Sequence, residues 1–134
     1  MATISINTTK QFKDLDLLFT VHPIRKDINK HTGAQAVINS IKNLLLTNHY
    51  ERPFQPELGS NIRKLLFEPM DGVTTSALET EIIQTIENFE PRVLISKLTA
   101  VPNFDQDGYS IGLEFYIKNM TDMVSITFFL ERVR

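Results

Sequence analysis

Ile86-Glu87-Asn88-Phe89-Glu90-Pro91-Arg92-Val93 is the stretch where a helical pattern meets a proline and gives way at once to a strand pattern. Pro91 has no amide proton, clashes with the preceding turn and pushes Glu90 towards extended geometry, so a helix is expected to stop near Phe89 or Glu90. Upstream, Leu78, Ile82, Ile86 and Phe89 form a narrow apolar seam. The spacing predicts a helix that begins between Thr74 and Ser76, with Ser76 and Glu79 at capping-box spacing and Thr74 an equally good cap. Glu79, Glu81 and Glu87 lie on the other faces, with no base until Arg92. Glu87 and Glu90 oppose the helix dipole at this end, which makes Arg92 the obvious counter-charge. Two readings stand side by side. In one, Arg92 only offsets the helix end and pairs with Glu90 or Glu87. In the other, an acid and a base held on either side of a rigid residue are prepositioned to engage a partner at low ordering cost.

Beyond the proline the chain reads as β. Val93 and Ile95 share one parity and Leu98 and Ala100 the other, so a strand from Val93 to about Val101 needs a bulge near Ser96. Asp107-Gly108 is a strong hairpin signal. After it, Tyr109, Ile111, Leu113, Phe115 and Ile117 alternate cleanly with Ser110, Gly112, Glu114, Tyr116 and Lys118. Asn119 to Asp122 makes the next turn. The final strand sets Val124, Ile126, Phe128 and Leu130 on one face, with Phe129 the exception among the residues of the other. If strand order follows the chain, this strand is an edge with unpaired backbone groups, open to a strand from another chain.

Working back from the organising helix, the residues through Lys10 are polar and weakly patterned and read as an arm. Leu15, Leu17, Phe19 and Val21 suggest a strand from Phe12 that ends at Pro23, followed by a turn at His31-Thr32-Gly33. A first helix is expected from Ala34 to Thr47, since Val37, Ile38, Ile41, Leu44 and Leu45 form one stripe. Arg52-Pro53-Phe54-Gln55-Pro56-Glu57-Leu58-Gly59 then reads as a loop stiffened by its prolines, with Phe54 and Leu58 as anchors into the core. Ser60 is placed to cap a second, short helix from Asn61 to Glu68, ended by Pro69 and Gly72. The expected fold is α+β: three helices packed on one face of a small antiparallel sheet with a C-terminal β-hairpin. Residues 1–13 form the arm and 14–134 one domain.

Composition narrows the chemistry. A length of 134 residues can bury a real core, and the absence of cysteine excludes disulfides, thiolate catalysis and cysteine zinc sites. With a net charge of -2 and scattered basic residues, nucleic acid is not an expected partner. No apolar run suits a bilayer span, and Met1-Ala2-Thr3-Ile4-Ser5 lacks a secretory layout, so a soluble protein that stays where it is made is expected, with no membrane partner. The histidines fit no metal-ligand frame, and no glycine-rich phosphate loop or G-x-S-x-G elbow occurs, so no cofactor, metal or catalytic group is expected. One enzymatic reading survives: a carboxylate pair drawn from Glu57, Glu68, Glu87 and Glu90, acting as acid and base on a glycoside. Any acid-rich chain offers such pairs, and there is no tryptophan here to stack on a sugar.

Four blocks together carry a resemblance: Ser40-Ile41-Lys42-Asn43-Leu44-Leu45-Leu46-Thr47, Glu51-Arg52-Pro53-Phe54-Gln55-Pro56-Glu57-Leu58-Gly59-Ser60, Leu65-Leu66-Phe67-Glu68 and Asn88-Phe89-Glu90-Pro91-Arg92. In that order and spacing they resemble the sheath-initiating baseplate wedge protein of contractile-tailed bacteriophages. That family is lysozyme-like in its older name and is shared with the type VI secretion baseplate subunit. The resemblance runs from about Asp14 to the C-terminus, with Val93 to Lys97 longer than its pattern leads one to expect. It implies a non-enzymatic structural protein of the virion tail baseplate, assembled in the host cytoplasm. It also implies that Glu90, Pro91 and Arg92 dock on a helical core bundle of other wedge proteins, and that tail sheath subunits add strands at Val124, Ile126, Phe128 and Leu130. The inner tube or its initiator is a further candidate partner. The alternatives are a tail-associated peptidoglycan hydrolase and the equivalent adaptor of a type VI secretion or related contractile injection system.

Overall fold

A computed structural model describes residues 13–15 and 30–132. The chain divides into two compact units, Met1–Ala36 and Val37–Arg134. In the first, strand β1 (Lys13–Leu15) pairs antiparallel with β2 (Lys30–Thr32). The strand expected from Phe12 to Pro23 lies outside the described residues beyond Leu15. His31 and Thr32, expected in a turn, belong to β2, and the turn is carried by Gly33 at φ 65°. A distant partner strand, invisible to local pattern, decided the point.

Helix α1 (Ala34–Leu46) enters the second unit, followed by α2 (Ile62–Leu65), α3 (Gly72–Phe89) and the strands β3 (Val93–Asn103), β4 (Gly108–Ile117) and β5 (Met123–Glu131). The three strands form one antiparallel sheet in the order β3-β4-β5, and α3 packs on β3. The core follows from periodicity. Val37, Ile41, Leu44 and Leu45 of α1, Leu78, Ile82 and Ile86 of α3, and Tyr109, Ile111, Leu113, Phe115 and Ile117 of β4 are all buried. Each such side chain is worth about 1.5–3 kcal/mol relative to exposure, which outweighs the weaker local preferences around it. The register of β3 on β4 shifts between Ile95 and Lys97, so the bulge expected near Ser96 is present. This α+β layout of helices and antiparallel sheet is the one the alternation implies.

Local chemistry corrects the reading at three joints. Ser60 does not cap α2: its hydroxyl is buried and donates to the Leu45 carbonyl at 3.0 Å, while its amide donates to Thr47 at 2.9 Å. It therefore satisfies the carbonyls left over at the end of α1. The α2 N-terminus makes no side-chain cap bond; Glu81 of α3 instead accepts from the Asn61 amide at 2.8 Å. Helix α3 starts at Gly72 rather than at Thr74 to Ser76, because Asp71 in extended geometry accepts from the Thr74 amide at 2.7 Å. Phe54, expected as a core anchor, is 97% exposed. Backbone bonds hold its loop without it: Tyr50 to Pro56 at 2.8 Å and Leu58 to Gln55 at 3.1 Å.

That loop closes at Gly59, whose φ of +141° suits glycine alone and whose Cβ, were there one, would lie 2.7 Å from the Asn48 carbonyl carbon. Gly59→Ala is expected to lower unfolding stability by about 1–3 kcal/mol in urea titration. Unchanged stability would show that the approach of the loop to α1 is slack.

Candidate functional site

Two places hold the residues singled out in the sequence: the corner that ends α3 and the outer side of β5. At the corner, Glu90 is 3% exposed, and a buried carboxylate needs partners. Arg92 supplies a bidentate clamp, with Nε on one carboxylate oxygen and Nη2 on the other at 2.7 Å, and the Ser40 hydroxyl of α1 donates at 2.6 Å. Pro91 makes this geometry cheap by fixing the chain between the two charges. Burial opposes ionisation of Glu90, but the Arg92 and Ser40 hydrogen bonds outweigh it, and its pKa lies below the ordinary 4.5. The Arg92 carbonyl accepts from the Lys118 amide at 2.8 Å, so the corner also closes the end of the β3-β4 ladder. The three residues expected to act together thus meet, with unequal roles. Glu90 faces inward, Pro91 is exposed, and the Arg92 side chain keeps 30% of its surface. What the sequence did not disclose is Ser40, fifty residues away in the chain and without a local motif.

On the other side of the sheet, β5 has β4 as its one paired neighbour among the described residues. In an antiparallel pair each residue points its N–H and C=O together to one side, and successive residues alternate. The Arg132 amide donates to the Asp107 carbonyl at 2.9 Å, which fixes the phase. Stepping back by two, Leu130, Phe128, Ile126 and Val124 turn their backbone groups to β4, opposite Tyr109, Ile111, Leu113 and Phe115. Met123, Ser125, Thr127, Phe129 and Glu131 turn theirs to the open edge. The inward side chains of β5 and its outward backbone groups therefore belong to alternating residues. Val124, Ile126 and Phe128 are half-buried and Leu130 is buried, on the face they share with the core of β4. The main-chain groups that a further strand could bond belong to the residues between them. Gly108 clears this corner, since any side chain there would meet the Phe129 ring and the Leu130 carbonyl.

The acids weighed for catalysis differ in setting. Glu57, Glu68 and Glu87 are exposed, and Glu90 is engaged at the corner by Arg92 and Ser40. A groove of about 790 Å³ lies where the ends of α1 and β5 approach α2, and none of those four lines it. Among the described residues no group of three or more metal-ligating side chains occurs.

Residues 31–122, more than half of the chain, match the family described as Baseplate wedge protein gp25. Baseplate wedge protein gp25 of Enterobacteria phage T4 is 27% identical over 116 residues, covering 87% of each chain. The fold is shared with a chain of the anti-feeding prophage baseplate, at a TM-score of 0.72 and 19% identity over 84% of this chain and 90% of that one. It is shared too with a Geobacter sulfurreducens protein described as a candidate tail lysozyme, at a TM-score of 0.70 and 21% identity over 75% and 91%.

Because the Glu90 pKa is lowered on folding, its contribution to stability is full above the ordinary value of 4.5 and is lost as pH falls through the lower folded value. The stability gap between wild type and Glu90→Gln is accordingly expected to narrow on acidification below pH 4.5. At neutral pH, Arg92→Ala strips the clamp from a buried carboxylate and is expected to cost about 1–3 kcal/mol in urea melts. A gap that stays constant with pH would mean that Glu90 is not ionised in the folded protein.

Proposed function

The chain belongs to the baseplate wedge protein gp25 family, and from that premise we propose that it is a non-enzymatic adaptor joining the wedge core of a contractile-tail baseplate to the first ring of sheath subunits. The observation that carries this reading is the row of outward-facing backbone groups at Met123, Ser125, Thr127, Phe129 and Glu131 along β5. A sheath strand laid against them extends the sheet by main-chain hydrogen bonds, while Val124, Ile126, Phe128 and Leu130 anchor β5 through their apolar side chains. Such a joint suits a pulling load, since a ladder sheared along its strands must lose many bonds together. Glu90, Pro91 and Arg92 form the attachment to a helical bundle of other wedge proteins. In that contact the buried Glu90 carboxylate orients the guanidinium, and exposed Pro91 with the accessible part of Arg92 meets the partner. The adaptor works in the virion baseplate after assembly in the host cytoplasm, and the same mechanism serves a type VI secretion or related injection system. A peptidoglycan hydrolase has less support, because none of its four candidate acids lines the groove beside α2 and Glu90 is already clamped by Arg92.

Thr127 is exposed and its amide faces the open edge, a position where proline is tolerated in the folded strand but forbids a ladder bond. Thr127→Pro is expected to leave the melting curve within a few degrees of wild type and to yield baseplates that incorporate the protein yet bear no sheath in negative-stain micrographs. Sheathed tails at normal frequency would remove β5 from the mechanism. Arg92→Ala is expected to reduce incorporation into the wedge, and normal incorporation would remove the corner.

A further inference from the structure

The sheet has two edges, and they are chemically unequal. Along β3 the ladder phase follows from the Ala100 amide, which points away from β4 and donates to the Glu79 carboxylate of α3 at 2.8 Å. The residues sharing that outward phase beyond the bulge are Leu98, Ala100 and Pro102, and before it Val93 and Ile95. Val93 donates to the Glu90 carbonyl at 3.2 Å, Ala100 is held by Glu79, and Pro102 has no amide to offer. Only Ile95 and Leu98 remain as outward donors, one on each side of the register shift. On β5 all five outward positions carry an amide, and among the described residues none of the five donates to another group.

We propose that Glu79 is the residue that decides which edge accepts a strand: it closes β3, so that each copy of this protein takes one foreign strand, on β5, and the sheet grows in one direction only. The proposal rests on the reading of β5 as the accepting edge. A carboxylate suits the task because it accepts the Ala100 amide from a helix already packed along β3, and it leaves a negative charge where an incoming strand would bring its own carbonyls. With that charge removed and proline replaced at 102, the part of β3 beyond the bulge offers three outward amides in a row, at 98, 100 and 102. The strand it would then take is the β5 of a second copy, and this head-to-tail contact does not close on itself.

Analytical ultracentrifugation of the full chain tests this. Wild type and Glu79→Gln, whose amide oxygen still accepts, are expected to sediment as no more than a dimer. Glu79→Leu combined with Pro102→Val is expected to form larger species that grow with concentration, and adding Thr127→Pro is expected to reverse the growth. A folded double variant that sediments like wild type overturns the proposal, as does growth that persists with Thr127→Pro. If the double variant does not fold, amide hydrogen exchange on wild type decides. The Ala100 amide should exchange at least about tenfold more slowly than the Phe129 amide, as a hydrogen bond worth about 1.4 kcal/mol requires. Equal rates with both amides fast would refute the role of Glu79. Protection of Met123, Ser125, Thr127, Phe129 and Glu131 together would instead refute the open β5 edge, leaving the closure of β3 intact.

Discussion

The buried carboxylate of Glu90 is the constraint from which the arrangement of the second unit follows. A charge removed from water must be neutralised and hydrogen-bonded, and here both needs are met from elements far apart in the chain: Ser40 on α1 and Arg92 at the entrance to β3. Because Pro91 fixes the geometry between the two charges, the end of α3 and the start of the sheet are held as one joint. The Arg92 carbonyl then receives the Lys118 amide, and the rungs of the β3-β4 ladder before the bulge take their phase from that bond.

From that phase the surface chemistry of the sheet is determined. Each residue of β4 gives its backbone groups to β3 or to β5 in strict alternation, so fixing one rung fixes which residues of the outer strands face outward. Two bonds at opposite sides, Arg132 to Asp107 and Ala100 to Glu79, give the same phase for β4 independently. The apolar face of β5 and its hydrogen-bonding edge consequently belong to alternating residues. That division anchors the strand in its own fold while leaving half of its backbone groups unused by β4.

Much of this was legible in the sequence, and most of what was not depends on contacts outside a local pattern. The stop of α3 at Phe89, the alternation of β4, the turn at Asp107-Gly108 and the bulge at Ser96 are dictated by residues next to one another, through proline geometry, period-two burial and turn chemistry. Two of the misread features depend on partners distant in the chain. Ser60 has the residue type of an N-cap but serves the Leu45 carbonyl behind it; Glu79, at capping-box spacing from Ser76, accepts the Ala100 amide of β3, and Glu81 accepts the Asn61 amide at the start of α2. Gly72, expected with Pro69 to end the second helix, instead opens α3, because Asp71 before it is the N-cap. Phe54 was misread for a different reason: a stiff loop closed by its own backbone bonds has no need to bury its aromatic residue.

The central claim is that a strand from another chain completes this sheet at β5. A cryo-EM map of the assembled baseplate with its first sheath ring tests it most directly. Backbone density from a sheath subunit is expected alongside Met123 to Glu131 at about 4.8 Å, the spacing of paired strands, with β3 unextended. Sheath contacts made wholly elsewhere, with the β5 edge facing solvent or covered by a helix, would contradict it.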